Sequence, residues 1–232
     1  MVKTAPFTII LVESALERID FLSKNKKVVR TAQEKRKKPL EKTLLDVSIH
    51  NHLMGKLPEK NKRGRPDIIH NSLLLALESR LNKEGYLQIY VHTRNDEILT
   101  FNPEVRIPRN YNRFVGLMEQ LFDIKKIPPN SEQILISMSS QSLEEFLHKL
   151  DPNLVVLFTE NGLPTNDIKL QKIFSENNKV VALIGGFPHG DFSQKIYKLA
   201  DMKLSIYSEP LNTLVVISSL IHNAEQSLKK VE

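Results

Sequence analysis

The sequence predicts an α/β fold with a mostly parallel sheet covered by helices on both faces. From residue 130 onward, short apolar segments alternate with helical segments, which is the pattern of parallel α/β proteins. The chain has 232 residues, of which 41% are apolar, and such a chain can bury a substantial core. One apolar segment ends on Gly185 and Gly186, as strands do where a ligand-binding loop begins.

The first half of the chain predicts three strands and two helices. The strand segments are apolar and rich in β-branched residues: Thr8–Val12, Leu87–Val91 and Ile98–Phe101. We expect a short helix from Ser14 through Ile19. A longer helix is expected over Ile68–Leu81, where apolar residues recur at helical spacing and Asp67 is placed to cap the first turn.

The second half alternates strands with helices. The predicted strands are Ile134–Met138, Leu154–Thr159, Val180–Ile184 and Leu204–Tyr207. The predicted helices are Ser142–Leu150, Ile168–Phe174, Phe192–Ala200 with Asp191 as its cap, and Asn212–Lys230. Parallel strands place ligands outside their carboxyl ends, so the loops Thr159–Gly162, Gly185–Gly190 and Ser205–Leu211 should converge on one ligand.

Several classes of site are excluded or disfavoured. Cysteine is absent, which excludes disulfides and thiolate metal sites, and His50 and His52 lack a third ligand at a useful spacing. No apolar segment reaches the ~18–20 residues that span a bilayer. The chain lacks an early GxGxxG, a GxxxxGK[ST] and a GxSxG, so dinucleotide, triphosphate and serine-hydrolase sites are disfavoured. What remains is a small ligand held largely by backbone groups.

The positive charge is concentrated in one segment. Residues 24–42 contain nine lysines and arginines against two glutamates, which leaves 24 of the 33 basic and 25 of the 27 acidic residues for the rest. Such a segment either contacts a polyanion or is a solvated loop, and the run alone does not decide between them.

A second basic stretch holds Arg106, Arg109 and Arg113. Arg109 and Arg113 share a face if a helix has begun by Arg109. Guanidinium groups make planar, bidentate bonds to phosphates and base edges, and Glu104 is the only acid nearby, so anion binding is favoured over a solvated helix start. Tyr111 lies between the arginines and either stacks on a base or packs inward.

Four segments taken together are specific, although no single one is. They are RGRPDIIH (63–70), VRIPRNYNRFVGLMEQL (105–121), GGFPHGDF (185–192) and LSIYSEPLNTLVV (204–216). Their combination resembles the ribosomal RNA pseudouridine N1-methyltransferases, the nucleolar essential protein family of the SPOUT class. With LLDVSIHNHLM (44–54) and LQIYVHT (87–93), the resemblance covers most of residues 8–228.

The resemblance implies a single SPOUT-type domain over residues 1–232 with a trefoil knot. The basic excursion at about 24–42 would be peripheral, and the knot region at about 154–228 would bind the cofactor. It also implies a homodimer and S-adenosylmethionine as methyl donor. Carried over by position, the cofactor-binding residues are Thr159, Gly185, Gly190, Lys203, Leu204, Ser205, Ile206, Tyr207 and Ser208.

The family's RNA-binding residues fall on Arg65, Arg106, Arg109 and Arg113. Asp67 would then act in one of two ways. It would orient Arg65 through a charged hydrogen bond, or serve as the base that takes the N1 proton of pseudouridine. Pairing with Arg65 favours the orienting role.

The implied function is N1-methylation of a pseudouridine in small-subunit ribosomal RNA, together with a role in small-subunit biogenesis. Ribosomal RNA and ribosomal proteins would be partners, with no metal and no membrane. Two alternatives remain: a non-catalytic RNA-binding assembly factor on the same fold, and a SPOUT methyltransferase acting at another RNA position. No long charged extension precedes the first strand, which favours an archaeal cytoplasmic protein over a nucleolar one.

Overall fold

The computed structural model describes residues 6–19, 39–55 and 57–228, so residues 24–38 of the predicted basic excursion lie outside the described part. The strands are β1 (Phe7–Ser14), β2 (Leu87–Thr93), β3 (Glu97–Phe101), β4 (Lys126–Ile127), β5 (Ile136–Ser140), β6 (Leu154–Pro164), β7 (Val180–Gly185) and β8 (Met202–Ser205). They form one sheet of eight strands in the order β4-β5-β3-β2-β1-β7-β6-β8. Strands β2, β1, β7, β6 and β8 are parallel to one another, while β3, β5 and β4 extend one edge in antiparallel pairs.

Helices of the described residues pack on both faces of this sheet. They are α1 (Val47–Met54), α2 (Pro66–Glu78), α3 (Arg80–Lys83), α4 (Tyr111–Ile124), α5 (Leu143–Leu150), α6 (Asp167–Glu176), α7 (Gln194–Leu199) and α8 (Thr213–Leu228). Ile9 and Leu11 of β1 pack on one side with residues of α2, α4 and α8. Ile10 and Val12 pack on the other side with α5 and α7. The alternation of buried side chains along β1 therefore confirms the predicted layers.

The short helix predicted after β1 is wrong. Glu13 adopts left-handed backbone with φ of 50°, and the chain then runs as a loop in which Arg18 forms an antiparallel bridge with Leu44. The apolar residues of this loop are fully buried: Ala15, Leu16 and Ile19. Their spacing reflects packing against the core and not helical periodicity.

The long helix predicted over Ile68–Leu81 starts earlier and is divided. Pro66 opens α2, so Asp67 lies inside the first turn and Arg65 occupies the cap position that was predicted for Asp67. Proline suits the first helical position because its missing N–H is not needed there. Ser79 ends α2, and its side chain accepts a hydrogen bond from the Asn82 N–H to cap α3.

Two element boundaries near the carboxyl edge of the sheet also differ from the prediction. Helix α7 begins only after Ser193, so Asp191 is not its cap. The Asp191 carboxylate instead accepts hydrogen bonds from the Phe192 N–H and the Tyr197 hydroxyl, each at 2.7 Å. Strand β8 ends at Ser205, two residues before the predicted end.

Strand β6 is interrupted where the sequence predicted a loop. Phe158 and Leu163 both pair with Leu204 of β8, so residues 159–162 bulge out between them. Gly162 returns the chain so close to β8 that an added Cβ would lie 2.6 Å from the backbone nitrogen and carbon of Leu204. Only glycine permits this approach.

Gly162→Ala is expected to lower the free energy of unfolding by about 1–3 kcal/mol, because the clash is with backbone that cannot rotate away. The matched control is Gly116→Ala in α4, where an added Cβ has no neighbour within 4 Å. Alanine in a helix is favoured over glycine, so this control should gain up to about 1 kcal/mol. Urea unfolding of both variants measures the difference; equal stabilities would contradict the role of Gly162.

Candidate functional site

A cavity of about 430 Å³ opens at the carboxyl ends of β6, β7 and β8. Its wall combines the three loops that the sequence predicted to converge, together with the start of α8. The lining residues are Phe158, Thr159, Glu160, Ile184, Gly185, Phe187, Pro188, His189, Gly190, Asp191, Phe192, Ser205, Ile206, Tyr207, Glu209, Pro210, Leu211, Thr213 and Val216.

Backbone groups and short side chains fix the shape of this cavity. The Thr213 hydroxyl donates to the Gly185 carbonyl at 2.8 Å, which ties the start of α8 to the end of β7. The Ser205 hydroxyl donates to the Tyr207 carbonyl at 2.6 Å and closes the turn after β8. Gly190 has φ of +100°, a conformation that favours glycine. The cavity is therefore bounded by segments that hold one another through main-chain contacts.

Six of the nine predicted cofactor-binding residues line the cavity: Thr159, Gly185, Gly190, Ser205, Ile206 and Tyr207. Leu204 is buried and lies outside the lining, and Lys203 and Ser208 are exposed and also lie outside it. Lys203 instead borders a shallow depression beside Asn161 and Asp191. The lining begins at the last residue of β8 and continues through the turn after it, so Ser205, Ile206 and Tyr207 line the cavity in succession.

Two sets of lining residues were not predicted. The first is apolar: Phe158, Ile184, Phe187, Phe192, Leu211 and Val216. The second consists of the carboxylates of Glu160, Asp191 and Glu209, although the sequence predicted a pocket formed mainly by backbone. Thr213 could have been found, because it belongs to the LNTLVV part of a motif that had already been singled out.

Arg65 and Asp67 form a bidentate pair beside the start of α2. Arg65 Nε and Nη2 donate to the two carboxylate oxygens of Asp67 at 2.8 and 2.7 Å. The hydrogen bond to Asp67 raises the pKa of the Arg65 guanidinium, which therefore stays charged. Both side chains are more than one-third exposed, so the remaining donors of Arg65 can meet a ligand.

Asp46 and Tyr111 connect this pair to the second basic stretch. The Tyr111 hydroxyl donates to Asp46 at 2.5 Å, and the Ser48 N–H and hydroxyl donate to the same carboxylate. Burial opposes ionisation of Asp46, but these hydrogen bonds hold its pKa below the usual range. Burial and the bond to Asp46 raise the pKa of Tyr111. Of the two interpretations of Tyr111, inward packing is thus the one observed, and the side chain contacts the main core.

The arginines of the second stretch are all exposed. Helix α4 begins at Tyr111 with Asn110 as its cap, so Arg109 precedes the helix and does not share a helical face with Arg113. Within the described ranges, Arg106, Arg109 and Arg113 form no salt bridge with an acidic residue. They can therefore bind an external anion.

The two basic segments are held side by side. His70 of α2 contacts the Pro108 carbonyl through Nε2 at 2.7 Å and stacks on Phe114 of α4, with ring centroids 4.5 Å apart. This contact joins RGRPDIIH to the RIPR segment. The arginine surface (Arg65, Arg106, Arg109 and Arg113) shares no residue with the lining of the cavity.

A histidine metal site finds no support. His50 Nδ1 accepts the Asp46 N–H at 3.0 Å, and residues 6–19, 39–55 and 57–228 contain no group of three or more His, Asp or Glu side chains that could hold a metal ion. Within the same ranges, no helix is long and apolar enough to cross a membrane.

The chain is similar to known proteins over nearly its whole length. It is 51% identical over 221 residues to the ribosomal RNA small subunit methyltransferase Nep1 of Staphylothermus marinus, covering 95% of each chain. It is 41% identical over 221 residues to the protein of the same name from Thermococcus kodakarensis, covering 95% of this chain and 98% of the relative. Both relatives are archaeal, in agreement with the predicted origin.

The fold is also similar to a solved structure, the crystal structure of Archaeoglobus fulgidus Nep1 bound to S-adenosylhomocysteine. The TM-score is 0.83 at 36% identity, over 96% of this chain and 98% of the other. This similarity confirms the SPOUT-type α/β fold class that the sequence predicted. The family model described as EMG1/NEP1 methyltransferase matches residues 9–225. The chain therefore belongs to the EMG1/NEP1 methyltransferase family.

Proposed function

We propose that this protein transfers a methyl group from S-adenosylmethionine to N1 of a specific pseudouridine in small-subunit ribosomal RNA. The proposal rests on one observation: this member of the family combines two structural features. One is an apolar cavity at the carboxyl edge of the sheet, and the other is an arginine surface with free donors.

The cavity suits S-adenosylmethionine in size and chemistry. Its volume of about 430 Å³ falls in the range of roughly 300–1,000 Å³ that is typical of small-molecule sites. The apolar lining offers a surface for a purine ring, and backbone groups near Gly185 and Gly190 offer hydrogen bonds. The carboxylates of Glu160, Asp191 and Glu209 would complement the positive charge of the cofactor. The relative from Archaeoglobus fulgidus binds S-adenosylhomocysteine, the demethylated product, in a chain of the same fold.

The reaction would be an in-line displacement in which the methyl carbon forms a bond to N1 and its bond to sulfur breaks. The bound cofactor supplies the electrophilic methyl group, and N1 loses its proton to solvent. The chain then has to align the base with the cavity and exclude competing orientations, since positioning is the main contribution of an enzyme to such a step. A base in a loop can be turned outward for this purpose.

The arginine surface would hold the phosphates on either side of that base. Arg65 is pre-oriented by Asp67, and Arg106, Arg109 and Arg113 extend the same positive surface. In this arrangement Asp67 would orient Arg65, because its two oxygens accept the Nε and Nη2 hydrogens of the guanidinium in a bidentate pair. Small-subunit biogenesis, contacts with ribosomal proteins and a cytoplasmic location would follow from such a substrate.

The protein would act as a homodimer. Several large apolar side chains between residues 163 and 215 are exposed: Leu163, Ile168, Tyr207, Leu211, Leu214 and Val215. Leu163 and Ile168 are 71% and 76% exposed. An apolar set of this kind is typical of a surface that a second copy covers.

The modified atom is tested with two forms of one RNA. Small-subunit ribosomal RNA from cells lacking this protein contains pseudouridine, whereas a transcript of the same sequence contains only uridine. Purified protein with labelled S-adenosylmethionine should methylate the first RNA and not the second, because N1 of uridine already carries the sugar. Mass spectrometry should place one methyl group on a pseudouridine base.

Methylation of the uridine transcript or of a ribose would contradict the proposed target. A calorimetric titration with no affinity for S-adenosylmethionine would point instead to a non-catalytic assembly factor.

Asp67→Asn should weaken RNA binding about tenfold, because Arg65 loses its charged partner. Affinity for S-adenosylmethionine should not change, and activity should recover at saturating RNA. Asp123→Asn is the matched control, since Asp123 is an exposed aspartate that also pairs with basic side chains. Unchanged RNA affinity with abolished activity would contradict the orienting role and favour Asp67 as a base.

Ile168→Glu should weaken the dimer about tenfold or more, because it places a charge in an apolar interface. Ile134→Glu is the control, since Ile134 is 43% exposed and lies outside the proposed interface. Light scattering over a concentration series measures the dissociation. A wild-type monomer at all concentrations, or equal behaviour of the two variants, would contradict the proposed dimer.

A further inference from the structure

Lys62 lies outside both residue sets of the proposed function but touches the segments that carry them. It ends the short helical turn Lys60–Lys62, which directly precedes the RGRPD motif. Its ammonium lies 3.3 Å from Glu13 Oε2 and 4.9 Å from the centroid of the Phe187 ring. Its stem packs on Gly190, where an added Cβ would lie 3.1 Å from Lys62 Cε. The side chain is only 11% exposed, although it is a lysine.

Glu13 completes the contact from the other side. It stands at the end of β1 in left-handed backbone, with φ of 50°. Its carboxylate accepts the Ser193 N–H at 3.2 and 3.3 Å in addition to the ammonium of Lys62. A left-handed glutamate costs energy and persists where its surroundings require it. Lys62 and Glu13 therefore hold the two ends of residues 186–193, which we term the cofactor loop.

The cofactor loop has an open space on each side. One side faces the cavity of about 430 Å³, lined by Phe187 and Gly190. Glu13, Lys62 and Ser193 line a second cavity, of about 500 Å³, which shares no lining residue with the first. The start of the loop is fixed by main-chain hydrogen bonds of Gly186 with Val12 and Ala15. Lys62, which contacts Phe187 and Gly190, is therefore placed to set the position of the residues that follow.

Lys62 is also rigidly connected to the arginine surface. Arg63 forms a buried pair with Glu17, and the Arg65 N–H donates to the Ala15 carbonyl at 3.2 Å. Only three positions separate Lys62 from Arg65, and the intervening backbone is fixed by these contacts. These contacts hold Lys62 and Arg65 in a fixed relative position, so RNA that orders Arg65 would also order Lys62 and its contacts with the cofactor loop.

We propose that Lys62 is a positioning residue which, with Glu13, clamps the cofactor loop against residues 60–65, which we term the basic loop, so that RNA held by Arg65 tightens the binding of S-adenosylmethionine. The inference rests on the proposed function. Because such coupling is reciprocal, the cofactor should tighten RNA binding by the same factor. The clamp contacts no reacting atom and acts only through the shape of the loop.

Lys62→Met keeps the stem against Gly190 and removes the ammonium. Its dissociation constant for S-adenosylmethionine, measured calorimetrically without RNA, should rise about tenfold, the typical effect of losing one charge-assisted contact. The tightening of cofactor binding by RNA should disappear, while kcat at saturating concentrations stays within about twofold of the wild type. Lys62→Arg should restore most of the affinity, because it can still reach Glu13.

Lys60→Met is the matched control. Lys60 is exposed and lies in the same turn, and its substitution removes the same positive charge. Its cofactor affinity should equal that of the wild type. If Lys62→Met does not fold, Glu13→Gln is used for the same test. The glutamine keeps an acceptor for the Ser193 N–H and removes the negative charge that pairs with Lys62.

The possible failures are distinguishable. A wild-type protein with no affinity for S-adenosylmethionine refutes the proposed function, and the clamp with it. If the wild type and Lys62→Met bind S-adenosylmethionine with the same dissociation constant, the clamp is refuted and the proposed function is not. A Lys62→Met variant with a lower melting temperature and unchanged cofactor affinity also refutes the clamp, because the pair of Lys62 and Glu13 would then only stabilise the fold.

Discussion

The arrangement of both sites depends on the buried ion pair between Arg63 and Glu17. Arg63 Nε and Nη2 donate to the two carboxylate oxygens at 2.8 and 2.5 Å, and Glu17 is 1% exposed. Removing one partner of such a pair costs about 3–5 kcal/mol, because the other charge is left buried. The pair fixes the basic loop on the segment after β1. In the same segment, the Ala15 N–H donates to the carbonyl of Gly186, where the cofactor loop begins. One short segment therefore contacts two loops that are distant in sequence.

The two sites differ in how they are held. The segments around the cavity are tied to one another: the Thr213 hydroxyl donates to the Gly185 carbonyl, and Gly162 lets β8 lie against the bulge of β6. In the arginine surface, Arg65 is supported by Asp67, while Arg106, Arg109 and Arg113 are exposed. Segments tied in this way keep the shape of the cavity, whereas exposed guanidinium groups can adjust to an RNA backbone. This division suits a rigid small ligand and a flexible large one.

The sequence predicted the alternating strands and helices well, because buried parallel strands have a distinctive composition. The prediction was wrong where buried apolar residues lie in a loop and not in a helix or strand. The apolar spacing of Ala15, Leu16 and Ile19 looks helical, but these residues fill the core from a loop. The carboxylates of the cavity were missed for another reason. Glu160 and Asp191 lie in or beside loops that were predicted to converge, but Asp191 was assigned as a helix cap and backbone groups were expected to hold the ligand. The trefoil knot could be expected only from the family resemblance, since general topology rules make knots rare.

The proposed selectivity for pseudouridine would not require a side chain that recognises this base. Contacts from arginine to phosphate position an RNA without identifying its bases, so Arg65 and the exposed arginines would supply affinity and orientation. In uridine, N1 carries the glycosidic bond and has no proton to lose, whereas in pseudouridine the same ring position is free. A chain that holds the base with this edge toward the methyl group therefore discriminates through the substrate's own chemistry. What would have to be accurate is the distance between the basic loop and the cofactor loop, and the ion pairs of Lys62 with Glu13 and of Arg63 with Glu17 hold the basic loop on the end of β1 and the segment after it.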